Sequence, residues 1–240
     1  GTRGEVNTSG STNVAWQWKE EATPGFDIVT YTGNKTNRTI SHSLGVAPEW
    51  IVIKDTSNTE SWVVGHNSIG WTKNLFLNLT NAEATSSSIW QDTAPTSSVF
   101  SIGTSDGVNK VGTHIAYLWA SVAGFSKFGS YTGNGSADGP FIFTGMAPAF
   151  IIVKRAAGGT GNWDMFDRQR DPINPADAVL DADSNGAEAS YSTIDIDFLS
   201  NGFKVRGTQS NINTSGDTYI YMAFAENPFG GEDIVPVTAR

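Results

Sequence analysis

The chain contains no cysteine, which excludes disulfide staples, thiolate nucleophiles, cysteine-ligated zinc and iron–sulfur clusters. It is also poor in charge. Only 16% of its 240 residues are Asp, Glu, Lys or Arg, against about 25% in an average globular domain, so Ser, Thr, Asn and Gly must build much of the surface. What charge there is runs negative: Lys+Arg 15 against Asp+Glu 24, a formal net charge of −9. Nucleic acid is therefore excluded as a partner, because binding a phosphate backbone rests on clustered cations. No 18-residue apolar run offers a membrane-crossing helix, and the opening Gly1-Thr2-Arg3-Gly4-Glu5 has no signal-peptide core. Membrane insertion is not expected. The opening instead suggests a cut inside a longer chain.

Catalytic and metal signatures are scarce as well. His42, His66 and His114 lie far apart, with no metal-ligand spacing, and no Gly-x-Ser-x-Gly elbow anchors a Ser/His/Asp triad. Gly133-Asn134-Gly135 and Gly158-Gly159-Thr160-Gly161 are followed by neither a helix nor a Lys, so they read as turns rather than phosphate loops. Present in quantity are aromatics (11%) and 26 glycines, which rules out a disordered acidic tail.

Self-similarity organises the rest. Gly25-Phe26…Tyr31-Thr32-Gly33-Asn34 recurs as Gly124-Phe125…Tyr131-Thr132-Gly133-Asn134, and Ala47-Pro48-Glu49-Trp50-Ile51-Val52-Ile53-Lys54 as Ala147-Pro148-Ala149-Phe150-Ile151-Ile152-Val153-Lys154. Trp62 answers Trp163, and Ala82-Glu83-Ala84 answers Ala187-Glu188-Ala189. The offsets give a period of about 100 residues. A third, partial copy runs from Val6 to Trp18 and matches Ile212 to Phe224. The expected organisation is thus a closing strand of a preceding module over 1–22, one β-module over 23–123 and a second, with a C-terminal tail, over 124–240. The alternative for 1–22 is a first strand that happens to resemble the last.

The segments themselves read as strands. Ile51-Val52-Ile53 and Ile151-Ile152-Val153 are short, β-branched and bounded by Ala-Pro. Val14, Trp16 and Trp18 alternate with polar or small neighbours, as do Ile220, Met222 and Phe224, so one face of each should be core, with Trp119 at the matching place. Trp50 and Phe150 also read as core. Ser200-Asn201-Gly202 between Asp197-Phe198-Leu199 and Phe203-Lys204-Val205 is a strong hairpin signal. No stretch sustains a helical period, though one turn of helix is expected near Pro175–Leu180, and His114 is expected half exposed. The fold class is all-β: tandem antiparallel β-sandwich modules.

Together, Val14-Ala15-Trp16-Gln17-Trp18-Lys19, the two Tyr-Thr-Gly-Asn segments, Leu44-Gly45-Val46-Ala47-Pro48, Asn162-Trp163-Asp164, Asp197–Lys204 and Thr218–Phe229 resemble the repeated C-terminal modules of tail or fibre proteins of aquatic tailed bacteriophages. That resemblance implies a non-enzymatic, extracellular virion component of the tail or host-attachment apparatus. It would bind other virion proteins, form a homo-oligomer (a homotrimer in such fibres) and have no cofactor. No heptad specifies a trimer, and monomeric modules along a fibre, or a head-attached decoration, are the alternatives.

Candidate sites follow from what differs between the modules. Asp195 and Asp197 would lie on one strand face, about 6.6–7 Å apart, a spacing loosely compatible with a glycan-degrading tailspike. The first module has Thr96-Ser97-Ser98-Val99 there, so a solvated outer face next to a hairpin explains the pair more cheaply and no catalytic residue is assigned. The acidic zone Asp164, Asp167, Asp171, Asp177, Asp181 and Asp183 offers oxygen ligands but does not match an ordered Ca²⁺ loop, so no metal site is assigned. The longest unlike stretches, Trp71–Pro95 and Trp163–Tyr191, hold aromatics among polar side chains. If the protein grips a bacterial surface glycan, Trp71, Trp90, Trp163 and Tyr191 are the stacking candidates; the alternative is that these rings only cover a core edge.

Overall fold

A computed structural model describes residues 9–10 and 12–226. The first half contains β1 (Phe26–Gly33), β2 (Arg38–Ser41), β3 (Trp50–Asp55), β4 (Val63–His66), β5 (Lys73–Phe76), β6 (Ala84–Thr85), β7 (Val99–Ile102) and β8 (Gly112–Trp119). The second contains β9 (Ser126–Thr132), β10 (Phe141–Phe143), β11 (Pro148–Ala157), β12 (Trp163–Asp167), β13 (Ala178–Asp181), β14 (Ala189–Ser190), β15 (Ile196–Leu199), β16 (Gly202–Val205) and β17 (Thr218–Ala225). Single helical turns α1 (Ser87–Trp90), α2 (Asp106–Asn109) and α3 (Ser210–Asn213) interrupt the strands.

All the ladders are antiparallel. One six-stranded sheet has the order β1-β8-β3-β4-β5-β6 and the other β9-β17-β11-β12-β13-β14; the small sheets are β2-β7 and β10-β16-β15. Each large sheet thus places its first strand beside its last, then continues outward through the middle of its half. The fold is an all-β sandwich. The hairpin at Ser200-Asn201-Gly202 forms with Leu199 opposite Gly202. A Cβ on Gly202 would lie 2.0 Å from the carbonyl oxygen of Ile142, so glycine is required where β10 crosses close by.

Alternation along the central strands explains the layering. In β3, Ile51 and Ile53 pack against the β2-β7 side, with Phe100, Ile102 and Trp90. In β11, Ile151 and Val153 face β15 and β16, with Phe198, Phe203 and Val205. The intervening residues Trp50, Val52 and Phe150, with Trp119, Ile220, Met222 and Phe224, meet in a third cluster contributed by both large sheets. Trp50 lies 5.7 Å from Trp163 and 6.1 Å from Phe128 across that seam. The order is small sheet, large sheet, large sheet, small sheet. A strand buried on both faces has no polar face to alternate with, which is why Ile51-Val52-Ile53 is continuously apolar.

Polar clamps fasten the strand ends in the same way in both halves. Asn109 Oδ1 accepts from the Asn34 amide (2.9 Å), and its Nδ2 donates to the carbonyls of Thr36 (2.8 Å) and Gly103 (2.7 Å). Asn213 Oδ1 accepts from the Asn134 amide (2.8 Å), and its Nδ2 donates to Ser136 (2.7 Å) and Gly207 (2.9 Å). Tyr31 and Tyr131 each donate their hydroxyl to the residue before the clamp, Val108 O and Ile212 O, both at 2.7 Å. A Cβ at Gly33 or Gly133 would fall 1.8 Å from Lys110 O or 2.3 Å from Thr214 O. The Tyr-Thr-Gly-Asn sequence is therefore a docking element: the ring, the bare Gly and the Asn amide all serve the same helical turn.

Three expectations need correction. Residues 12–20 form no strand; the expected closing strand over 1–22 is thus absent from its described part, and residues 1–8 and 11 lie outside the described residues. Trp16 and Trp18 instead cap the seam between the large sheets, half-buried against Phe150 and Phe224. There the rings take apolar surface out of water without joining a ladder. The helical turn expected near Pro175–Leu180 is replaced by β13, held in the ladder by β12 and β14. His114 is fully buried, stacked on Tyr31 at 5.2 Å, with Nε2 3.6 Å from Asp55.

Candidate functional site

Three of the four aromatics proposed to stack on sugar are inside the protein. Trp71 and Trp90 meet edge to face, 5.5 Å apart, in space vacated by Gly65, where a Cβ would lie 2.5 Å and 2.8 Å from the two indoles. Trp163 has no exposed surface and donates its indole N–H to Phe76 O across the seam at 2.9 Å. Each lies in a stretch rich in polar residues, but the rings themselves turn inward to bury apolar area. They are withdrawn as ligand contacts. Tyr191 remains: it is 42% exposed.

Tyr191 stands on the rim of a cleft of about 330 Å³ with Asn162, Asp181, Ile194, Gln209, Ser210 and Asn211. Its position comes from the backbone, since the Tyr191 amide donates to Asp177 O and its carbonyl accepts from Ile194. Asn162 immediately precedes β12, Asp181 ends β13, and Gln209 to Asn211 come from the turn at α3. The cleft volume is at the lower end of what small-ligand sites use, and its side chains are nearly all hydrogen-bonding groups.

Beneath it lies a pair of acids. Asp164 in β12 sits directly across the ladder from Asp181 in β13. Asp164 is fully buried; its Oδ1 accepts from Asn211 Nδ2 at 3.3 Å, while no donor from another residue reaches Oδ2. Burial, then the hydrogen bond and charge of Asp181, push the Asp164 carboxyl well above the usual range. The protonated form of Asp164 is therefore favoured, while Oδ2 of its ladder neighbour Asp181 accepts from Asn162 Nδ2 at 2.9 Å. Behind the pair, Lys154 is buried over the Trp163 ring and donates to Thr80 O (2.9 Å) and Gly161 O (2.6 Å). Burial lowers its pKa to about 8, against the opposing pull of Asp183 and Asp164.

The corresponding ladder position in the first half is apolar: Val63 opposes Phe76 there, next to Gly107 of α2 where α3 has Asn211. Two carboxyls replace two hydrocarbons at the edge of a core. Buried acids destabilise unless compensated, and rule-breaking of this kind concentrates at functional positions. The pair is invisible to spacing within one segment, because 164 and 181 meet only through the β12–β13 register. Matching Trp163 with Trp62 nevertheless places Asp164 where the first half has Val63, and that substitution was the available signal.

Asp164 also fixes a pH dependence. Its folded-state pKa is raised, so the native state holds the proton over a range in which the unfolded chain has lost it. The resulting stability is complete below the ordinary carboxyl range of the unfolded chain and declines as pH rises above it, by up to about 1.4 kcal/mol per pH unit. Asp164→Asn, which supplies the donor permanently, should match wild type near pH 3 and exceed it by more than about 1 kcal/mol at pH 7. Urea melts across pH 3–8 check this, and parallel curves would show that Asp164 is ionised in the fold.

The other acidic candidates are dispersed. Asp167 accepts from the Trp16 indole at 2.7 Å, Asp171 from the amides of Asp177 and Ala178, and Asp183 from the Trp163 amide. Among the described residues, no group of three His, Asp or Glu side chains is placed to hold a metal ion. Asp197 pairs with Arg206 at 3.5 Å; Asp195 is nearly buried, with its carboxyl pushed up by burial and by Asp177. Neither lines the cleft.

These features define an all-β double sandwich with a single-sided polar cleft in its second half. The chain belongs to the family described as Domain of unknown function (DUF7483), which matches residues 1–228. No curated protein and no solved structure matches it.

Proposed function

We propose that the chain is a non-enzymatic virion component of a tailed bacteriophage, from the tail or host-attachment fibre, that binds bacterial surface glycan through the Tyr191 cleft. The observation that carries the binding role is the cleft: a half-exposed aromatic ring beside Asn162, Asp181, Gln209 and Asn211. Sugars are gripped by a ring face plus oriented polar groups. The ordered sequence resemblance to fibre modules supports the virion setting. The two halves are further proposed to be a tandem duplication, on the matching strand orders and Asn clamps.

Fluorescently labelled protein incubated with a panel of aquatic bacteria tests the reading. Wild type should adsorb to some strains without releasing reducing ends, and Tyr191→Ala should lower adsorption at least fivefold. If no strain is bound, or if Tyr191→Ala binds as well as wild type, the chain is a spacer and not a receptor-binding module. A single weak site reaches about millimolar affinity, so assembly as a homotrimer would supply avidity. Light scattering should then give three times the 25.6 kDa chain mass.

A further inference from the structure

We propose that the cleft takes an amino sugar, with its ammonium seated against Asp181 and its ring against Tyr191; this rests on the glycan-binding reading above. The lining residues include one carboxylate and no cation. The nearby buried cation, Lys154, already donates to two backbone carbonyls. Asp181 accepts from Asn162 at 2.9 Å. A carboxylate has about four acceptor positions, so capacity remains on the cleft side. Asn211 has its amide nitrogen turned to Asp164, which leaves its carbonyl oxygen as another acceptor.

The wall is therefore rich in acceptors and carries uncompensated negative charge. A ligand that brings N–H donors and a positive charge complements it, whereas a uronic or sialic acid would set like charges together in a partly desolvated cleft. Asp164 bears on this too: it lies directly across the ladder from Asp181, and burial pushes its own carboxyl up, so it adds little charge to that of its neighbour. The first half, with Val63 and Phe76 in these positions, should have no such preference.

The test is NMR titration of the protein with glucosamine, glucose, glucuronic acid and ethanolamine, read on the side-chain amides of Asn162, Gln209 and Asn211. Glucosamine should bind at least fivefold tighter than glucose, and glucuronic acid should not bind. Asp181→Asn should bring glucosamine down to the level of glucose. The exposed Asp92→Asn, on the first half, should change nothing and so controls for the acidity of the whole chain. Glucose or glucuronic acid binding as well as glucosamine overturns the proposal while leaving a sugar site in place. Ethanolamine matching glucosamine overturns it by showing that no ring is recognised, and failure of every sugar overturns the glycan reading with it.

Discussion

Trp163→Ala should lower the unfolding free energy by about 3–5 kcal/mol, the usual cost of truncating a fully buried aromatic. The indole has no exposed surface, packs 5.7 Å from Trp50 and donates to Phe76 O. Truncation therefore opens a cavity between the large sheets and removes one of the donors to Phe76 O, leaving it the Leu79 amide at 3.2 Å. Guanidinium melts of the variant check the magnitude, and their shape is informative too. Both halves contribute to the seam, so wild type should unfold in one transition by tryptophan fluorescence and by far-ultraviolet circular dichroism. A loss below 1 kcal/mol would mean that Trp163 contributes little to joining the sheets. Per folded molecule, adsorption to cells should be unchanged, which separates this buried ring from Tyr191.

Asn213→Ala should cost about 2 kcal/mol or more. The substitution strands the buried carbonyl of Gly207 and the part-buried Asn134 amide and Ser136 carbonyl, and a buried unsatisfied group costs about 1–3 kcal/mol. Asn213→Asp should not rescue it, because a carboxylate replaces the two N–H donors with acceptors aimed at carbonyl oxygens. Asn109→Ala should behave alike in the first half. The neighbouring Asn134→Ala removes only exposed contacts to Ser136 and Asp138 and should cost under about 1 kcal/mol. Thermal melts of the four variants decide the matter. Equal losses at 134 and 213 would remove the special standing of the clamp.

Strand identity was legible in the sequence wherever local chemistry decides it. Ile51–Ile53, Ile151–Val153 and the turn at Asn201-Gly202 carry their own signals, because β-branched runs and turn residues act within a few positions. Which face a residue serves was not legible. Trp50 and Ile51 differ in partner only because a second large sheet lies against one side. Trp16-Gln17-Trp18 shows the limit most clearly: its alternation suits a strand, yet the rings close the end of a seam whose existence no local pattern announces. The cleft was half visible. Tyr191 stood out as an aromatic in a polar stretch, but so did Trp71 and Trp90, and only the packing of both rings over the bare Gly65 on β4 distinguishes a buried pair from an exposed ring.

The β1–β8 and β9–β17 pairings set an order on biosynthesis. The first large sheet is complete only when Trp119 is available, and the second only with Ala225. At about 5–20 residues per second, roughly 100 residues of further synthesis leave the Trp50–Trp119 face waiting some 5–20 s for its cover. During that interval the nascent chain presents a flat aromatic surface with nothing to bury it. A first half made before β17 thus exposes the kind of apolar surface that promotes aggregation of unfinished chains.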